Sequence, residues 1–409
     1  MPIVTIDESG HGKWLGNFPF SANFSFFDNI VTEFLQEFSQ KILRHADARR
    51  YPDLMTFAYF CRRANLHALA QHYGDSSLRC GWGTIIHIAP SNIPINFAFS
   101  LVFGLLSGNS NIVRMPSRSF PQNDLFIEIF DQVSVSPRFR SIAINTLLIR
   151  SARGDRELED VIAKADGLVV WGGDATVHTF RAFPKKPRCV EIYFPNRRSA
   201  VIIDATVYLS ASTELRAELA AGFFNDTYLV DQNACSSPSM VMWVGEADIA
   251  EAAKKIFWDR LDKEIKNRNY QLDPVARIDK FLDIMAANEE SGRPVHLKTY
   301  SRDIWCLEEQ GGAQNFNLRF GEFIDMNLLS LDGISSVLRV QEQTLTYFGI
   351  DPYAIKHALS GHYHTLDRIV PVGHALDMNP FWDGKDILAL LSHRLDLVEP
   401  SRKMRSPVM

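Results

Sequence analysis

Regular alternation between short apolar segments and longer amphipathic segments constrains this chain more than any other feature. The segment TIIHIAP predicts a buried strand, PINFAFSLVFGLLSG predicts a helix that begins at Pro94 and ends at Gly108, and NIVRMP predicts a second strand. A strand, a helix and a further strand in this order form one βαβ unit with parallel strands. Because the same alternation continues over 124–183, we predict a doubly wound parallel sheet of the nucleotide-binding type.

Composition and charge exclude several classes of protein. The 409 residues are 46% hydrophobic and carry a net charge of −5 with scattered Lys and Arg, so we expect a large core and no nucleic-acid partner. The N-terminal segment lacks the pattern of an export signal, and we therefore expect a cytoplasmic protein. The most apolar run, IPINFAFSLVFGLLSG, is shorter than the roughly 20 residues that a membrane-spanning helix needs. It predicts a buried helix and no membrane span.

The five cysteines form neither a disulfide framework nor a zinc-binding pattern, so we expect reduced thiols. Cys235 differs from the others because it lies among small and polar residues in DQNACSSP, directly before the predicted strand SMVMWV. His362 and His364 could share one face of a strand, but no third ligand stands at a recognised spacing, so we expect no metal. Apolar or undistinguished surroundings favour structural roles for the remaining cysteines, Cys61, Cys80, Cys189 and Cys306.

Asn92 lies between a predicted strand and the helix that Pro94 opens, in the segment IAPSNIPINF. This place is the carboxyl edge of the predicted sheet, where α/β proteins bind ligands. An amide there could donate a hydrogen bond to a developing oxyanion. The alternative is that Asn92 caps the helix, a role for which asparagine is strongly preferred and which the residue taken alone favours.

Two further loops follow predicted strands. In GNSNIVRMPSRS, Arg114 stands at the strand end with Ser117 and Arg118 just beyond, and these groups could hold the ribose side of a dinucleotide or form a solvated turn. In VVWGGDATVHTF, Gly172 and Gly173 separate a strand from a helix, so backbone N–H groups could face a phosphate there. The GxGxxG fingerprint is absent.

These segments, in this order and at this spacing, resemble the aldehyde dehydrogenase superfamily over most of the chain after about residue 80. PSNIP stands where the superfamily has a Pro-Trp-Asn-Phe-Pro-like loop, GNSNIVRMP where it has a Gly-Asn-x-Val-Val-x-Lys-Pro-like loop, and DQNACSSP where its nucleophilic cysteine lies. DQNACSSP, QEQTL and the closing segments RIVPVGHALD and FWDGKD look most like the LuxC-type fatty acyl-CoA reductases of bacterial bioluminescence. The resemblance implies an α/β, aldehyde-dehydrogenase-like fold.

The implied organisation has a Rossmann-type cofactor domain and an α/β catalytic domain. We expect a helical lead-in over 1–80 that packs on a nucleotide-binding domain over 81–195. A catalytic domain with Cys235 is expected over 196–365, followed by a C-terminal segment over 366–409 that bridges the domains.

The resemblance also implies catalytic roles. Cys235 would be the nucleophile, and Asn92 together with the backbone amide of Cys235 would form the oxyanion hole. Glu191 in RCVEIYF falls near the general-base glutamate of the superfamily. The Leu-Gly-Gly-like sequence that normally follows is missing, so a structural strand residue is the alternative for Glu191.

The implied cofactor site comprises Arg114, Ser117 and the turn of Gly172 and Gly173, and the adjacent Arg118 is predicted from its position to belong to it. Arg114 replaces a lysine of the superfamily, which keeps the charge but changes the geometry. A carboxylate that binds both hydroxyls of the adenosine ribose would repel the 2′-phosphate of NADPH. This sequence has Ser117 at the corresponding place, and the flanking Arg114 and Arg118 could donate to that phosphate. These features predict NADPH in preference to NADH.

We therefore predict NADPH-dependent reduction of an acyl thioester, carried by CoA or by a carrier protein, to the aldehyde through an acyl group on Cys235. One alternative is NAD(P)-dependent oxidation of an aldehyde to the acid, which needs a base such as Glu191. A second alternative is a non-catalytic scaffold derived from such an enzyme. A homo-oligomer or a partner enzyme that supplies acyl groups is also expected.

Overall fold

In the computed structural model, the chain folds into two compact units. The first unit comprises Met1–Pro195 and Lys385–Met409, and the second unit comprises Asn196–Gly384. The residues that the structure describes are 4–5, 18, 24–151, 156–291, 296–308, 318–338, 341–361 and 366–398.

The described strands and helices are numbered in chain order. The strands are β1 (Val4–Thr5), β2 (Arg79–Gly81), β3 (Thr84–Ile88), β4 (Ser110–Arg114), β5 (Thr146–Arg150), β6 (Gly167–Trp171), β7 (Val190–Phe194), β8 (Arg198–Asp204), β9 (Pro238–Val244), β10 (His296–Ser301), β11 (Ile304–Glu308), β12 (Glu322–Leu328), β13 (Glu342–Phe348), β14 (Arg368–Pro371), β15 (Phe381–Trp382), β16 (Lys385–Asp386) and β17 (Ser392–Arg394). The α-helices are α1 (Asn29–Arg44), α2 (Pro52–Phe60), α3 (Arg63–Gln71), α4 (Asn96–Leu106), α5 (Pro121–Ser134), α6 (Arg140–Ile144), α7 (Arg156–Lys164), α8 (Asp174–Ala182), α9 (Ala205–Ser210), α10 (Thr213–Thr227), α11 (Ala247–Asn267), α12 (Pro274–Ser291), α13 (Ile334–Val337), α14 (Pro352–Ala358) and α15 (Ile387–Leu390).

The first unit contains a parallel sheet with the strand order β1-β5-β4-β3-β6-β7. Every residue of β3, β4 and β6 is buried, as expected for a parallel sheet that is covered on both faces. The chain winds from β3 outward to β4 and β5, and then from β6 outward to β7. The direction therefore reverses between β3 and β6, which is the topological switch point of a doubly wound sheet.

Helix α4 confirms the buried helix predicted after β3, but it begins two residues later than expected. All of Asn96–Leu106 is buried, and the N-cap residue is Ile95 rather than a residue before Pro94. Ile95 has φ −93° and ψ 0°, so Pro94 belongs to the loop that leads into the helix. None of the helices within the described residues is long and apolar enough to cross a membrane.

An aromatic cluster joins the N-terminal helices to α5 in the first unit. Phe38 on α1 packs edge to face on Phe57 of α2 and on Phe126 and Phe130 of α5, with ring centroids 4.9–5.9 Å apart. Phe34, one turn before Phe38, packs in the same way on Phe130. Spacing of aromatic residues at three and four positions along these helices thus produces one continuous core.

The second unit contains a sheet with the order β10-β11-β12-β9-β8-β13-β14, in which only β10 runs antiparallel to its neighbour. Met240 and Met242 of β9 point into one hydrophobic core, whereas Val241 and Trp243 point into the other. The predicted strand SMVMWV is therefore a central strand with both faces buried, which explains its continuous apolar sequence.

Candidate functional site

The carboxyl edge of the first sheet gathers three of the loops singled out from the sequence. Asn92 follows β3 and is exposed, and the loops after β4 and β6 emerge beside it because these strands pair with β3 in parallel. The N-cap of α4 is Ile95, so Asn92 lies three residues before the capping position. Simple helix capping therefore does not account for Asn92.

Arg114 joins the ends of two neighbouring strands. Its side chain is buried, its Nε donates to Ser151 Oγ at 3.1 Å, and its Nη2 donates to the Ser151 carbonyl at 2.8 Å. Ser117 and Arg118 lie in an exposed turn beyond β4, where the Arg118 guanidinium stands 5.2 Å from the ring centroid of Phe120. Of the predicted ribose-binding residues, Ser117 and Arg118 are thus exposed to solvent, whereas Arg114 is bonded to the scaffold.

The Gly172 and Gly173 turn connects β6 to α8, beside the switch point. Gly173 is the N-cap of α8 and has no side chain to accept hydrogen bonds from the N–H groups of the first turn. A Cβ at Gly172 would lie only 3.1 Å from the side chain of Thr176. This turn keeps backbone N–H groups at a helix N-terminus, an arrangement that fits a phosphate, although Asp174 adds a negative charge to the first turn.

Glu191 lies elsewhere on this sheet. It is the second residue of β7, about 10 Å before the carboxyl end of that strand, and it is exposed. Its carboxylate is 3.3 Å from Lys185 Nζ and accepts a hydrogen bond from the Tyr193 hydroxyl. The structural alternative for Glu191 is supported by this ion pair, and its catalytic role stays a prediction.

The loop that carries Cys235 is fixed by Gln232 in the second unit. Asp231 and Gln232 both adopt left-handed backbone conformations, with φ of 51° and 58°. The buried Gln232 amide donates to the carbonyls of Pro238 and Glu322, each at 2.9 Å, and its side-chain oxygen accepts from the N–H of Gly321 at 2.8 Å. These three bonds tie the loop to the starts of β9 and β12 and offset the cost of the strained backbone.

Cys235 itself is held at the amino edge of the second sheet. Ser199 Oγ donates to the Cys235 carbonyl at 2.7 Å and accepts from the N–H of Thr344 at 3.1 Å. Ser199 and Thr344 lie near the starts of β8 and β13, and Ser199 is in register with Pro238 of β9. The backbone of Cys235 is therefore fixed by the amino ends of three neighbouring parallel strands.

Arg197 organises a charged cluster at the same edge. Its Nη1 is 2.7 Å from Asp383 Oδ1 and its Nη2 is 3.0 Å from Asp367 Oδ2. Gln343 Nε2 also donates to Asp383 Oδ1, at 3.1 Å. Asp383 and Gly384 have φ of 54° and 68°, as a two-residue Asp-Gly turn requires, and this turn holds Trp382 beside the cluster.

These neighbours set the electrostatics of the Cys235 thiol. Burial first of all, and then the negative charge of Asp383, raise its pKa to about 11. The side chains of Gln343 and Trp382, which act on the sulfur as hydrogen-bond donors without ordinary bond geometry, and the positive charge of Arg197 lower the pKa. The resting thiol is consequently protonated at neutral pH, and it must lose its proton before it can attack.

The remaining cysteines lie in ordinary structural surroundings. All five thiols are free, and burial raises the pKa of Cys61 and Cys306 well above the usual value. Within the described ranges, no three His, Cys, Asp or Glu side chains are grouped so as to bind a metal ion. His362 and His364 lie outside the described residues.

Sequence reasoning missed the residues that surround Cys235. A signal existed, because the motifs DQNACSSP, QEQTL and FWDGKD contain three of them. The sequence did not show what those residues contact. The missed residues are Arg197, Ser199, Gln232, Gln343 and Trp382.

The doubly wound first unit and the cysteine-bearing sheet of the second unit define an α/β protein with an aldehyde-dehydrogenase-like fold. An aldehyde dehydrogenase from Physcomitrella patens, solved in complex with succinate, has this fold with a TM-score of 0.65. The two are 12% identical, and the match covers 91% of this chain and 85% of that chain. The predicted fold class is confirmed.

The family model for acyl-CoA reductase (LuxC) matches residues 57–272, and the chain belongs to this family, as predicted. A long-chain acyl-protein thioester reductase from Photorhabdus laumondii is 25% identical over 71% of this chain, and one from Vibrio harveyi is 27% identical over 40%. The matches span 58% and 32% of the lengths of these relatives. Family membership implies a nicotinamide cofactor.

Proposed function

We propose that this protein reduces an acyl thioester to the corresponding aldehyde with NADPH, through an acyl group on Cys235. The observation that carries the proposal is the fixed loop of Cys235 in a chain of the LuxC family. The named relatives are thioester reductases of long-chain acyl groups, which favours a fatty acyl substrate on CoA or on a protein carrier.

In the proposed first step, Cys235 Sγ bonds to the thioester carbonyl carbon. The bond between that carbon and the leaving sulfur breaks, and the proton lost by the Cys235 thiol ends on the leaving thiol. This transfer involves no net oxidation or reduction. The backbone N–H of Cys235 is a proposed donor to the oxyanion, and Asn92 stays a predicted second donor.

The cofactor, when bound, supplies the hydride that reduces the acyl carbon. The N–H of Gly172 donates to the Phe194 carbonyl at 3.2 Å, so we propose that the N–H of Gly173 and those of the first turn of α8 hold its pyrophosphate. Ser117 and Arg118 are the proposed ligands of the 2′-phosphate that distinguishes NADPH, because both are exposed just beyond β4. Arg114 is proposed to support this turn through its bonds to the neighbouring strand end.

The test is to mix the purified chain with NADPH and a medium- or long-chain acyl-CoA. We expect consumption of NADPH together with equal amounts of aldehyde and free thiol. Cys235→Ala should abolish all three signals. Cys189→Ala is the matched control, because Cys189 is a partly buried thiol whose pKa burial also raises to about 11, and this variant should keep them.

Two other outcomes would contradict this proposal, and each would favour a different function. Fast NADP-dependent conversion of an aldehyde to the free acid, lost in Glu191→Gln, would favour an aldehyde dehydrogenase. Absence of both acylation and cofactor binding would favour a non-catalytic scaffold. A cytoplasmic location, self-association and a partner enzyme that supplies acyl groups stay predictions of the sequence.

A further inference from the structure

Trp382 carries a buried polar group that the fold does not use. Its side chain is only 6% exposed, and its indole Nε1 makes no hydrogen bond of ordinary geometry with any part of the chain that the structure describes. A buried N–H without an acceptor destabilises the folded state. Such a group in a folded protein therefore needs a structural or functional explanation.

Trp382 and Gln343 lie close enough to the Cys235 sulfur to act on it as donors, and a path of hydrogen bonds joins the Cys235 carbonyl to the residue next to Trp382. Ser199 Oγ links the Cys235 carbonyl to the N–H of Thr344, which directly follows Gln343 on β13. The Gln343 amide then reaches Asp383, the neighbour of Trp382, at 3.1 Å. This continuous path of bonded groups lies within the second unit.

Arg368 fixes the orientation of the Trp382 ring. Its guanidinium lies 4.8 Å from the ring centroid, and its Nη1 and Nη2 donate to the carbonyls of Ala375 and Asp377, each at 3.1 Å. The loop that carries these carbonyls is itself bound to α10, because Asp226 accepts from the N–H of Ala375 at 2.8 Å. The indole therefore has little freedom to turn.

We propose that the indole N–H of Trp382, assisted by the side-chain amide of Gln343, donates to the Cys235 sulfur and stabilises its thiolate. A thiolate is a much better acceptor than a thiol, so the N–H that has no good partner in the resting state gains one when the sulfur ionises. The same donor acts again when the aldehyde leaves and the thiolate forms anew. This second part rests on the proposed function.

The charged groups that face the Cys235 sulfur are Asp383, Arg197 and Arg368. Asp383 opposes the thiolate, and its bonds to Arg197 and Gln343 moderate that effect. Burial, the dominant effect, raises the thiol pKa, whereas the nearby donors of Gln343 and Trp382 lower it. Removal of either donor is therefore expected to raise that pKa.

The experiment measures the rate at which iodoacetamide alkylates Cys235 between pH 7 and pH 10, by mass spectrometry of the Cys235 peptide. Trp382→Phe keeps an aromatic ring beside Arg368 and removes the N–H together with the rest of the five-membered ring, a loss of volume that the control variant shares. Loss of a hydrogen bond to a charged group raises a pKa by about one to two units, and a thiolate of higher pKa is intrinsically more nucleophilic. The net expectation is alkylation that is about 3- to 10-fold slower across this range.

Trp243→Phe is the matched control, since Trp243 also has a buried indole N–H without a partner among the described residues but lies in a hydrophobic core. Cys235 in this variant should be alkylated at the wild-type rate.

Gln343→Met provides a second test of the donor pair, should Trp382→Phe fail to fold, and we expect alkylation of Cys235 to slow by a similar factor. Wild-type rates in both Trp382→Phe and Gln343→Met, or equal slowing in Trp243→Phe, would overturn the proposal. Because alkylation needs no thioester, wild-type failure to accept acyl groups would contradict the proposed function alone.

Discussion

The carboxyl edge of the first sheet and the amino edge of the second sheet are built in different ways. At the first edge, Asn92, Ser117 and Arg118 stand on exposed loops directly after their strands. At the second edge, Cys235 is partly buried and its neighbours come from positions between 197 and 383. One edge presents groups on short local loops, whereas the other assembles its groups through strand register.

This difference predicts different responses to substitution. Exposed loop residues contribute little to the core, so their replacement should change binding or rate and leave stability nearly unchanged. Residues at the amino edge share hydrogen bonds with one another, so a change there should alter both stability and the reactivity of Cys235.

The largest effect is expected for Asn92→Ala. Loss of one oxyanion donor lowers turnover by roughly 100- to 1,000-fold, and the exposed position of Asn92 predicts little change in stability. Steady-state rates and urea unfolding measure the two quantities. Ser91→Ala, one residue away and also exposed, should keep full turnover. A drop in rate that matches a drop in stability would show that Asn92 acts only through the fold.

Ser117→Glu should reverse the preference for NADPH. A carboxylate at this exposed turn repels the 2′-phosphate and can bind ribose hydroxyls, so we expect the KM for NADPH to rise about 10- to 100-fold while that for NADH changes little. Arg118→Ala should weaken NADPH selectively by a smaller factor. Equal catalytic efficiency of the wild-type protein with both cofactors would contradict the assignment of this turn.

Gly384→Ala tests the amino edge of the second sheet. Gly384 has φ of 68°, and an added Cβ would lie 2.6 Å from Asp367 Oδ1, so we expect a loss of about 2 kcal/mol in the free energy of unfolding. Gly74→Ala is the control, since Gly74 has a similar φ of 63° but open space around it. Its cost should be about 1 kcal/mol. Equal costs, measured by urea unfolding, would mean that crowding against Asp367 contributes nothing.

Glu191→Gln should have the smallest effect. Its ion pair with Lys185 is partly exposed, so the change in stability should stay below about 1 kcal/mol. Acyl transfer to Cys235 needs no water-activating base and should continue at the wild-type rate. Loss of acyl transfer in Glu191→Gln, with the fold intact by circular dichroism, would give Glu191 a catalytic role after all.

The same contrast explains what the sequence could predict. Residues at the carboxyl edge follow their strands directly, so the alternation of strands and helices was enough to bring Asn92, Arg114 and Gly172 to one edge. Local pattern also singled out Cys235, because its loop precedes a continuously apolar strand, and its catalytic role stays a prediction. Local pattern placed the start of α4 two residues early, since Pro94 ends a loop here rather than opening the helix.

The surroundings of Cys235 could not be predicted, because they depend on the register of distant strands. Ser199 is 36 residues from Cys235 in sequence, and its contact requires β8 to pair with β9 as it does. Asp383 and Gly384 form a tight turn directly after Trp382, and the Asp383 carboxylate binds Arg197. This ion pair brings Trp382 to the cluster. The sequence contained the residues of this cluster but not the pairing that brings them together.

Intact-mass spectrometry after addition of a medium- or long-chain acyl-CoA, without any cofactor, tests the role of Cys235 most directly. We expect a mass gain of one acyl group on the wild-type chain and on Cys189→Ala, located at Cys235 by peptide mapping, and no gain on Cys235→Ala. An acyl label that persists on Cys235→Ala, or that maps to another residue of the wild-type chain, would contradict the acyl-enzyme mechanism.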